Sequence, residues 1–181
     1  GGSLALAAPA VGGHLVVAVP VDPDTFAPHK AVAAATEEIE FNIYQGLVSF
    51  DQEGRIIPCL AESWEISEDG TTYTFRIREG VLFHNGRRLT AADVVYSLER
   101  IKDDATGFPL SWPKRMVEVA APNENTVRIR LDEPYAPFLS ELVDAAVVPP
   151  EAARNLAAQP VGTGPFRMVE WVNGHPVELE R

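Results

Sequence analysis

The clearest pattern of apolar and polar residues lies between residues 64 and 78, on both sides of an Asp-Gly pair. Residues 64–67 and 72–78 each place apolar side chains on one face and polar side chains on the other. Alternation of this kind around a tight turn predicts an antiparallel hairpin with one face on a core. Related patterns predict three further hairpins, over 47–57, 117–131 and 166–180.

Helical periodicity marks two longer segments. Apolar residues recur every four positions in 32–44, which predicts an amphipathic helix. In 90–101, Thr90 is followed three residues later by Asp93, the pattern of a capping box at the start of a helix. Short helices are predicted over 137–143 and 151–158, and a buried strand over 15–19.

Hairpins and helices are mixed along the chain without a regular alternation of strand and helix, which predicts an α+β fold. The 181 residues suffice for one domain, or for one domain with a small satellite. Residues 1–11 are small and apolar and contain an Ala-x-Ala pattern, typical of a linker or of a signal-peptide remnant. Pro and Gly interrupt the apolar residues 4–21, which argues against a membrane span there.

The chain is acidic, with 15 Lys and Arg against 26 Asp and Glu and a formal net charge of −11. Nucleic acids and anionic membrane surfaces are negative, so the charge argues against both as partners. Cys59 is the only cysteine, which excludes an internal disulfide and a Cys-based zinc cluster. It lies in an apolar stretch, where a cysteine more often packs as a small hydrophobe than acts as a nucleophile.

Motifs of catalysis are missing from the sequence. It has no Gly-x-Ser-x-Gly and no His-Glu-x-x-His, and Gly162-Thr163-Gly164 lacks the Lys of a phosphate-binding loop. The four histidines have no metal-ligand spacing, and we expect them at solvated loop or turn positions. The residues therefore predict neither an enzyme nor a metal or cofactor site.

Several blocks of sequence together resemble the extracellular solute-binding proteins of family 5, the peptide-, oligopeptide- and nickel-binding receptors of ABC importers. The blocks follow the family's order and spacing over most of the chain from about residue 12 to residue 181, and they comprise 12–18, 22–25, 58–64, 67–86, 89–100 and 160–166. The resemblance implies a periplasmic-binding-protein-like fold of the large two-lobed class. Family members are much longer, which implies that the second lobe and the C-terminal return of the first lobe lie outside this sequence.

The resemblance also implies a division of the chain. It suggests a linker or signal-peptide remnant over 1–11, a first segment of lobe one over 12–45, an inserted α+β subdomain over 46–160, and a return to lobe one over 161–181. Gly162 and Gly164 are expected to adopt positive φ angles where the chain re-enters the first lobe. Most motif residues are structural in this interpretation and identify the scaffold rather than the ligand site.

The loop after the first strand and two later positions are the ligand contacts that the resemblance suggests. The candidates are Asp24, Thr25, Phe26, His29, Trp112 and Asp144. Trp112 falls near a position that is aromatic in nickel-binding members, and aromatic walls suit ligand clefts. For Phe26 and Trp112, packing in the interior remains an open alternative. The arginine of the nickel binders has no counterpart around residues 144–147, which argues against nickel.

The resemblance implies a secreted, periplasmic or cell-surface receptor without a cofactor. It would capture its ligand by lobe closure and deliver it to the ABC permease. Peptides are the first expectation for the ligand, and sugars, opines and other small solutes stay open. Two alternatives stay open: an enzyme whose site is formed by scattered residues, and an isolated scaffold or interaction module with little ligand affinity of its own. The scaffold could self-associate through the face that a second lobe would cover.

Overall fold

A computed structural model describes residue 13 and residues 15–19, 22–30, 33–172 and 174–181. The Ala-x-Ala segment and the predicted linker, residues 1–11, lie outside the described residues, as does Asn173 of the last predicted turn. Within the described residues, no helix has the length and apolar character that crossing a membrane requires.

Among the described residues, the chain forms one helix followed by a series of antiparallel hairpins with two further helices between them. The helices are α1 (Ala34–Ile43), α2 (Ala91–Lys102) and α3 (Phe138–Glu141). The strands are β1 (Val48–Phe50), β2 (Ile56–Pro58), β3 (Ala61–Ile66), β4 (Thr72–Ile77), β5 (Met116–Asn123), β6 (Thr126–Leu131), β7 (Arg167–Glu170) and β8 (Glu178–Glu180). Single 3-10 turns occupy Asp104–Thr106, Trp112–Arg115 and Leu142–Asp144. The predicted α+β class and all four predicted hairpins are confirmed.

A four-stranded antiparallel sheet in the order β3-β4-β6-β5 is the centre of the fold. Tyr73 pairs with Ile129, and Phe75 pairs with Val127. These side chains are buried, whereas Arg128, between Val127 and Ile129, is exposed. The alternation in the sequence therefore sets which face of the sheet meets the core.

Helix α2 packs against β5 and β6 and starts at the predicted capping box. The backbone N–H of Thr90 donates to Oδ2 of Asp93 at 2.8 Å. The other carboxylate oxygen of Asp93 accepts from Arg87 at 2.6 Å. The start of the helix is thus tied to the segment before it.

The buried apolar residues form two clusters. The larger one lies between the sheet, α2 and α3. The smaller one combines the loop around Phe26 and the end of α1 with Val148 and Leu156, and Trp171 packs against it. Residues predicted for the first segment of lobe one and for its return therefore pack on one another. The predicted boundaries themselves stay predictions.

Two predicted elements are wrong. Residues 15–19 form no strand, and Leu15, Val16 and Val17 are exposed, because no described strand pairs with this segment and no layer covers it. Residues 151–158 form consecutive turns rather than a helix. Their hydrogen bonds reach back three residues, as from Ala152 N to Pro149 O and from Asn155 N to Ala152 O. An α-helix requires bonds that reach back four residues.

The prediction of positive φ angles at Gly162 and Gly164 is also wrong, since neither belongs to the glycines with positive φ. Glycine is required there by close backbone approach. A β-carbon on Gly164 would lie 2.4 Å from the carbonyl oxygen of Asn42. The N–H of Gly164 instead donates to Ile43 O at 2.8 Å, which joins the segment to the end of α1.

Two of the histidines expected at solvated positions are inside the structure. His29 is completely buried. His84 is partly buried and binds the Gly-Thr-Gly segment, with its Nε2 at 3.0 Å from Gly164 O. His175 is exposed, and His14 lies outside the described residues.

Candidate ligand pocket

A pocket of about 560 Å³ opens where α1, the β1–β2 hairpin, the loop 108–110 and the segment 143–146 meet. Backbone contacts hold these parts together: Val147 N donates to Gln45 O at 2.9 Å, and Leu60 N donates to Gly46 O at 3.2 Å. Gly46 permits this meeting, because a β-carbon on it would lie 3.1 Å from Val143 O. The pocket is therefore built on firmly packed backbone at the junction of the two cores.

Three carboxylates line the pocket: Glu37, Glu40 and Asp144. Glu40 is only 6% exposed, and its Oε1 atom is buried without a hydrogen-bond partner. Burial, followed by the nearby charges of Asp24 and Glu37, raises the pKa of Glu40 to about 8. A carboxylate that loses water without gaining a donor favours its protonated form in this way.

Asp144 is affected by the same crowding of negative charge. Burial is the main cause that raises the pKa of Asp144, and the charges of Glu37 and Glu141 add to it. The charge of Glu37 therefore raises the pKa of both Glu40 and Asp144. Among the described residues that line the pocket, none is Lys, Arg or His.

Apolar side chains form the rim of the pocket. Phe41 is 58% exposed, and Phe50 and Leu110 are also largely exposed. Phe108 is half-buried beside them. Exposed aromatic and aliphatic side chains that converge on one concave surface are typical of ligand sites.

Cys59 also lines the pocket. Burial raises the pKa of its thiol, with smaller opposing effects from a backbone hydrogen bond and from Arg78. A reactive cysteine needs a lowered pKa, so this environment favours an unreactive thiol.

Helix α1 carries two of the acidic side chains and one of the aromatic side chains that line the pocket. Residues three and four apart lie on the same face of a helix, so Glu37, Glu40 and Phe41 share one side of α1, and Tyr44 follows directly after the helix. The hydroxyl of Tyr44 donates to the carbonyl oxygen of Phe26 at 2.9 Å, which fixes this face against the loop before the helix.

Of the six sequence-predicted contacts, Asp144 alone lines the pocket. Asp24 and Thr25 support the loop instead. Asp24 accepts from the hydroxyl of Thr36 at 2.7 Å, and the hydroxyl of Thr25 accepts from Ala27 N at 3.1 Å. Asp24 still affects the pocket electrostatically, through the pKa of Glu40.

The aromatic candidates are interior side chains. Phe26 is fully buried, and its ring meets that of Trp171 edge-on at 4.9 Å between centroids. Trp112 is buried against Phe138, with ring centroids 5.9 Å apart. The structure thus shows both rings packed in the interior, the alternative that the sequence left open. Ligand contact by either ring stays a prediction.

His29 is held by hydrogen bonds on both ring nitrogens. Its Nε2 donates to Ala146 O at 2.8 Å, and its Nδ1 accepts from the guanidinium of Arg100. Burial lowers the pKa of His29 to about 4, the bond to Ala146 opposes this, and the Arg100 charge adds to the lowering. A neutral buried histidine of this kind supports the 146 segment beneath the pocket.

The sequence-based reasoning missed Glu37, Glu40, Phe41, Phe50 and Leu110. Three of them, Glu37, Glu40 and Phe41, carried a signal in their helical spacing, but the orientation of α1 could not be predicted before its packing was known. Among the described residues, no group of three His, Cys, Asp or Glu side chains is close enough to hold a metal ion. The pocket offers carboxylates and an apolar rim, two kinds of surface that suit the binding of a ligand.

Comparison with known proteins relates the chain to one family. Residues 55–181 match the family model of bacterial extracellular solute-binding proteins, family 5 Middle. The glutathione-binding protein GsiB of Shigella boydii is 34% identical over 164 residues, which cover 87% of this chain and 32% of that protein. The chain thus spans about a third of the length of the curated relatives it matches.

Solved structures show the same fold. The periplasmic binding protein AgaA from A. tumefaciens R10, in complex with agropinic acid, aligns with a TM-score of 0.81 and 32% identity, over 88% of this chain and 34% of that one. The binding protein DppA from Helicobacter pylori, in complex with the peptide STSA, aligns with a TM-score of 0.79 and 30% identity, over 87% of this chain and 37% of that one.

Proposed function

Because the chain belongs to the bacterial extracellular solute-binding proteins of family 5, we propose that it forms one wall of the ligand site in the solute-capturing component of an ABC importer. The ligand is captured outside the cytoplasmic membrane by closure of two lobes and is then delivered to the permease. The chain itself performs no chemistry on the ligand.

The pocket beside α1 is the observation that carries this proposal. Its exposed rim of Phe41, Phe50 and Leu110 offers apolar surface that a ligand would cover. Burial of such surface is the main favourable contribution to binding a small molecule. In a two-lobed receptor the second lobe would close over the same rim from the opposite side.

Peptides are the ligand class that we put first. The relatives of this chain include a protein named for glutathione and one solved with the peptide STSA. A peptide offers apolar side chains for the rim and polar groups for the carboxylates. Asp144 is the proposed contact that lies on the pocket, and Asp24, Thr25 and His29 act on it through the structures that they support.

Self-association is a second candidate function that a specific observation favours. Leu15, Val16 and Val17 are three consecutive apolar residues, and all are exposed. Exposed apolar surface of this kind is a common site of protein contact. A sedimentation coefficient that rises with concentration, and that falls again after Val16→Asp, supports this candidate.

Thermal unfolding of the chain, with and without a millimolar mixture of short peptides, tests the capture function. A ligand that binds only the folded state, at about 100 times its Kd, adds roughly 2.7 kcal/mol of stability. We expect an upward shift of Tm with peptides and none with a matched mixture of free sugars. A cooperative melt that peptides leave unchanged contradicts a peptide site on this chain.

A further inference from the structure

We propose that the ligand group held by this pocket is an organic cation, a primary amine or a guanidinium, bound by the buried carboxyl group of Glu40 with Glu37 and Asp144 beside it. This inference rests on the proposed capture function and specifies the chemistry of its ligand. In this inference, the described pocket recognises the positively charged group of the ligand.

The state of Glu40 carries the inference. Its side chain is more than nine-tenths buried, lines the pocket, and has an Oε1 atom with no hydrogen-bond partner. A buried polar atom without a partner costs free energy that a ligand donor would recover. An ammonium or guanidinium N–H placed in the pocket supplies that donor.

The charge distribution selects a cation over a neutral donor. Glu37, Glu40 and Asp144 all line the pocket, and among its described lining residues there is no basic side chain. The charges of Glu37 and Asp144 therefore make the field inside the pocket negative, and no lining cation neutralises it. Hydrogen bonds between charged groups are about twice as strong as those between neutral groups.

The spacing of the carboxylates argues for an organic cation rather than a metal ion. No group of three potential metal ligands comes together among the described residues. The rim of Phe41, Phe50 and Leu110 is apolar. A ligand with a cationic end and a carbon stem fits both parts of the surface, since the stem covers the rim while the charge reaches Glu40.

Binding of a cation should release a proton. The raised pKa of Glu40, about 8, keeps this side chain mainly protonated at pH 7. A cation favours the ionised form and so displaces the proton. Among the described residues, the titratable groups that act on Glu40 or line the pocket with it are Asp24, Glu37, Tyr44, Cys59 and Asp144, and the charge of Arg100 acts on Tyr44.

Three tripeptides test the inference and separate the two sources of a cation. Trialanine amide carries a charge on its amino terminus alone. N-acetyl-Ala-Lys-Ala-amide carries one on its side chain alone, and N-acetyl-Ala-norleucine-Ala-amide carries none. The affinity of each peptide is measured by NMR titration and by calorimetry for three proteins: the parent chain, Glu40→Gln and Glu38→Gln. The calorimetry is repeated in two buffers that differ in their heat of ionisation. Glu38 is an exposed residue of the same helix outside the pocket lining and is the matched control.

We expect at least one cationic peptide to bind about tenfold more tightly than the neutral one. This preference should persist in Glu38→Gln and fall below about threefold in Glu40→Gln. The heat should depend on the buffer. For N-acetyl-Ala-Lys-Ala-amide, whose ammonium group stays charged up to pH 9, affinity should rise between pH 7 and pH 9 only where Glu40 is present. The peptide that shows the preference identifies the terminus or the side chain as the source.

Equal affinity for all three peptides overturns the cation inference and leaves peptide capture standing. A preference that Glu40→Gln retains overturns the role of Glu40. If no peptide binds, both capture and the inference fall. Should Glu40→Gln not fold, Asp144→Asn at an exposed position replaces it, with the same expected direction.

Discussion

Gly162 lies against the backbone of Ile43 so closely that a β-carbon on Gly162 would come within 2.1 Å of the Ile43 carbonyl oxygen. This approach brings the Gly-Thr-Gly segment beside the end of α1, where Gly162 O also accepts from His84 N at 2.9 Å. The junction of the two cores, and with it the pocket, depends on this contact.

Gly162→Ala should destabilise the chain by about 2–4 kcal/mol, because the new methyl group overlaps rigid backbone. The free energy of unfolding in urea measures the effect. Thr163→Ala is the control in the same segment. It removes a buried hydroxyl that has no hydrogen-bond partner, so we expect little loss. Equal stability of Gly162→Ala and the parent chain would show that the segment can move away from α1.

Asp93→Ala should cost about 1–3 kcal/mol, because it removes a helix cap and one side of a charged hydrogen bond together. The carboxylate accepts from Thr90 N and from Arg87 at 2.8 and 2.6 Å. Glu99→Ala, which breaks an exposed ion pair with Lys102 in the same helix, should change stability by less than about 0.5 kcal/mol. Similar losses in the two variants would contradict a special role for the cap.

Local signals in the sequence were sufficient for the hairpins and for the start of α2. The Asp69-Gly70 turn and the Thr90–Asp93 box act within a few residues of themselves, so their structures follow from the sequence alone. The prediction of a strand over 15–19 was wrong because a buried strand needs a neighbouring strand and a covering layer from elsewhere in the chain. Gly162 was correctly singled out, but its reason is a contact with α1 that no local pattern contains.

The pocket was harder to predict than the fold. Asp144 was a candidate from the sequence, whereas Glu40 stood in a run of acidic residues that a solvent-exposed helix face would also show. Only the packing of α1 against the Phe26 loop turns Glu40 inward. Phe26 and Trp112 illustrate the opposite case, since aromatic side chains suit a ligand wall and a core equally well.

His29 should make the chain sensitive to acid. Its folded pKa of about 4 lies below the ordinary value of 6.5, so the unfolded state binds more protons between these values. Stability is therefore lost as pH falls from about 6.5 to 4, by up to about 3 kcal/mol. His29→Gln should flatten this part of the profile of unfolding free energy against pH, whereas His175→Gln at an exposed position should not. Parallel profiles for all three chains would refute the assignment.

Glu40 should produce the opposite dependence on the alkaline side. Its folded pKa of about 8 lies above the ordinary value of 4.5, so the folded state binds more protons between them. The stability that protonated Glu40 contributes is complete below about pH 4.5 and is lost as pH rises through 8, by up to about 5 kcal/mol. Glu40→Gln should be more stable than the parent chain at pH 8.5 in urea unfolding, and Glu38→Gln should match the parent. A Glu40→Gln chain that still loses stability over this range would place the proton elsewhere.

Phe41→Ala should weaken peptide binding without weakening the fold. The ring is 58% exposed on the rim of the pocket, so its removal should change the free energy of unfolding by less than about 0.5 kcal/mol. Loss of apolar area that a ligand would cover should lower affinity for short peptides about tenfold. Leu82→Ala is the matched control, because Leu82 is 56% exposed and lies outside the pocket. NMR titration of both variants measures the affinities. If the two bind peptides as tightly as the parent chain, the apolar rim is not part of the ligand site, and the role proposed for the pocket must pass to another surface.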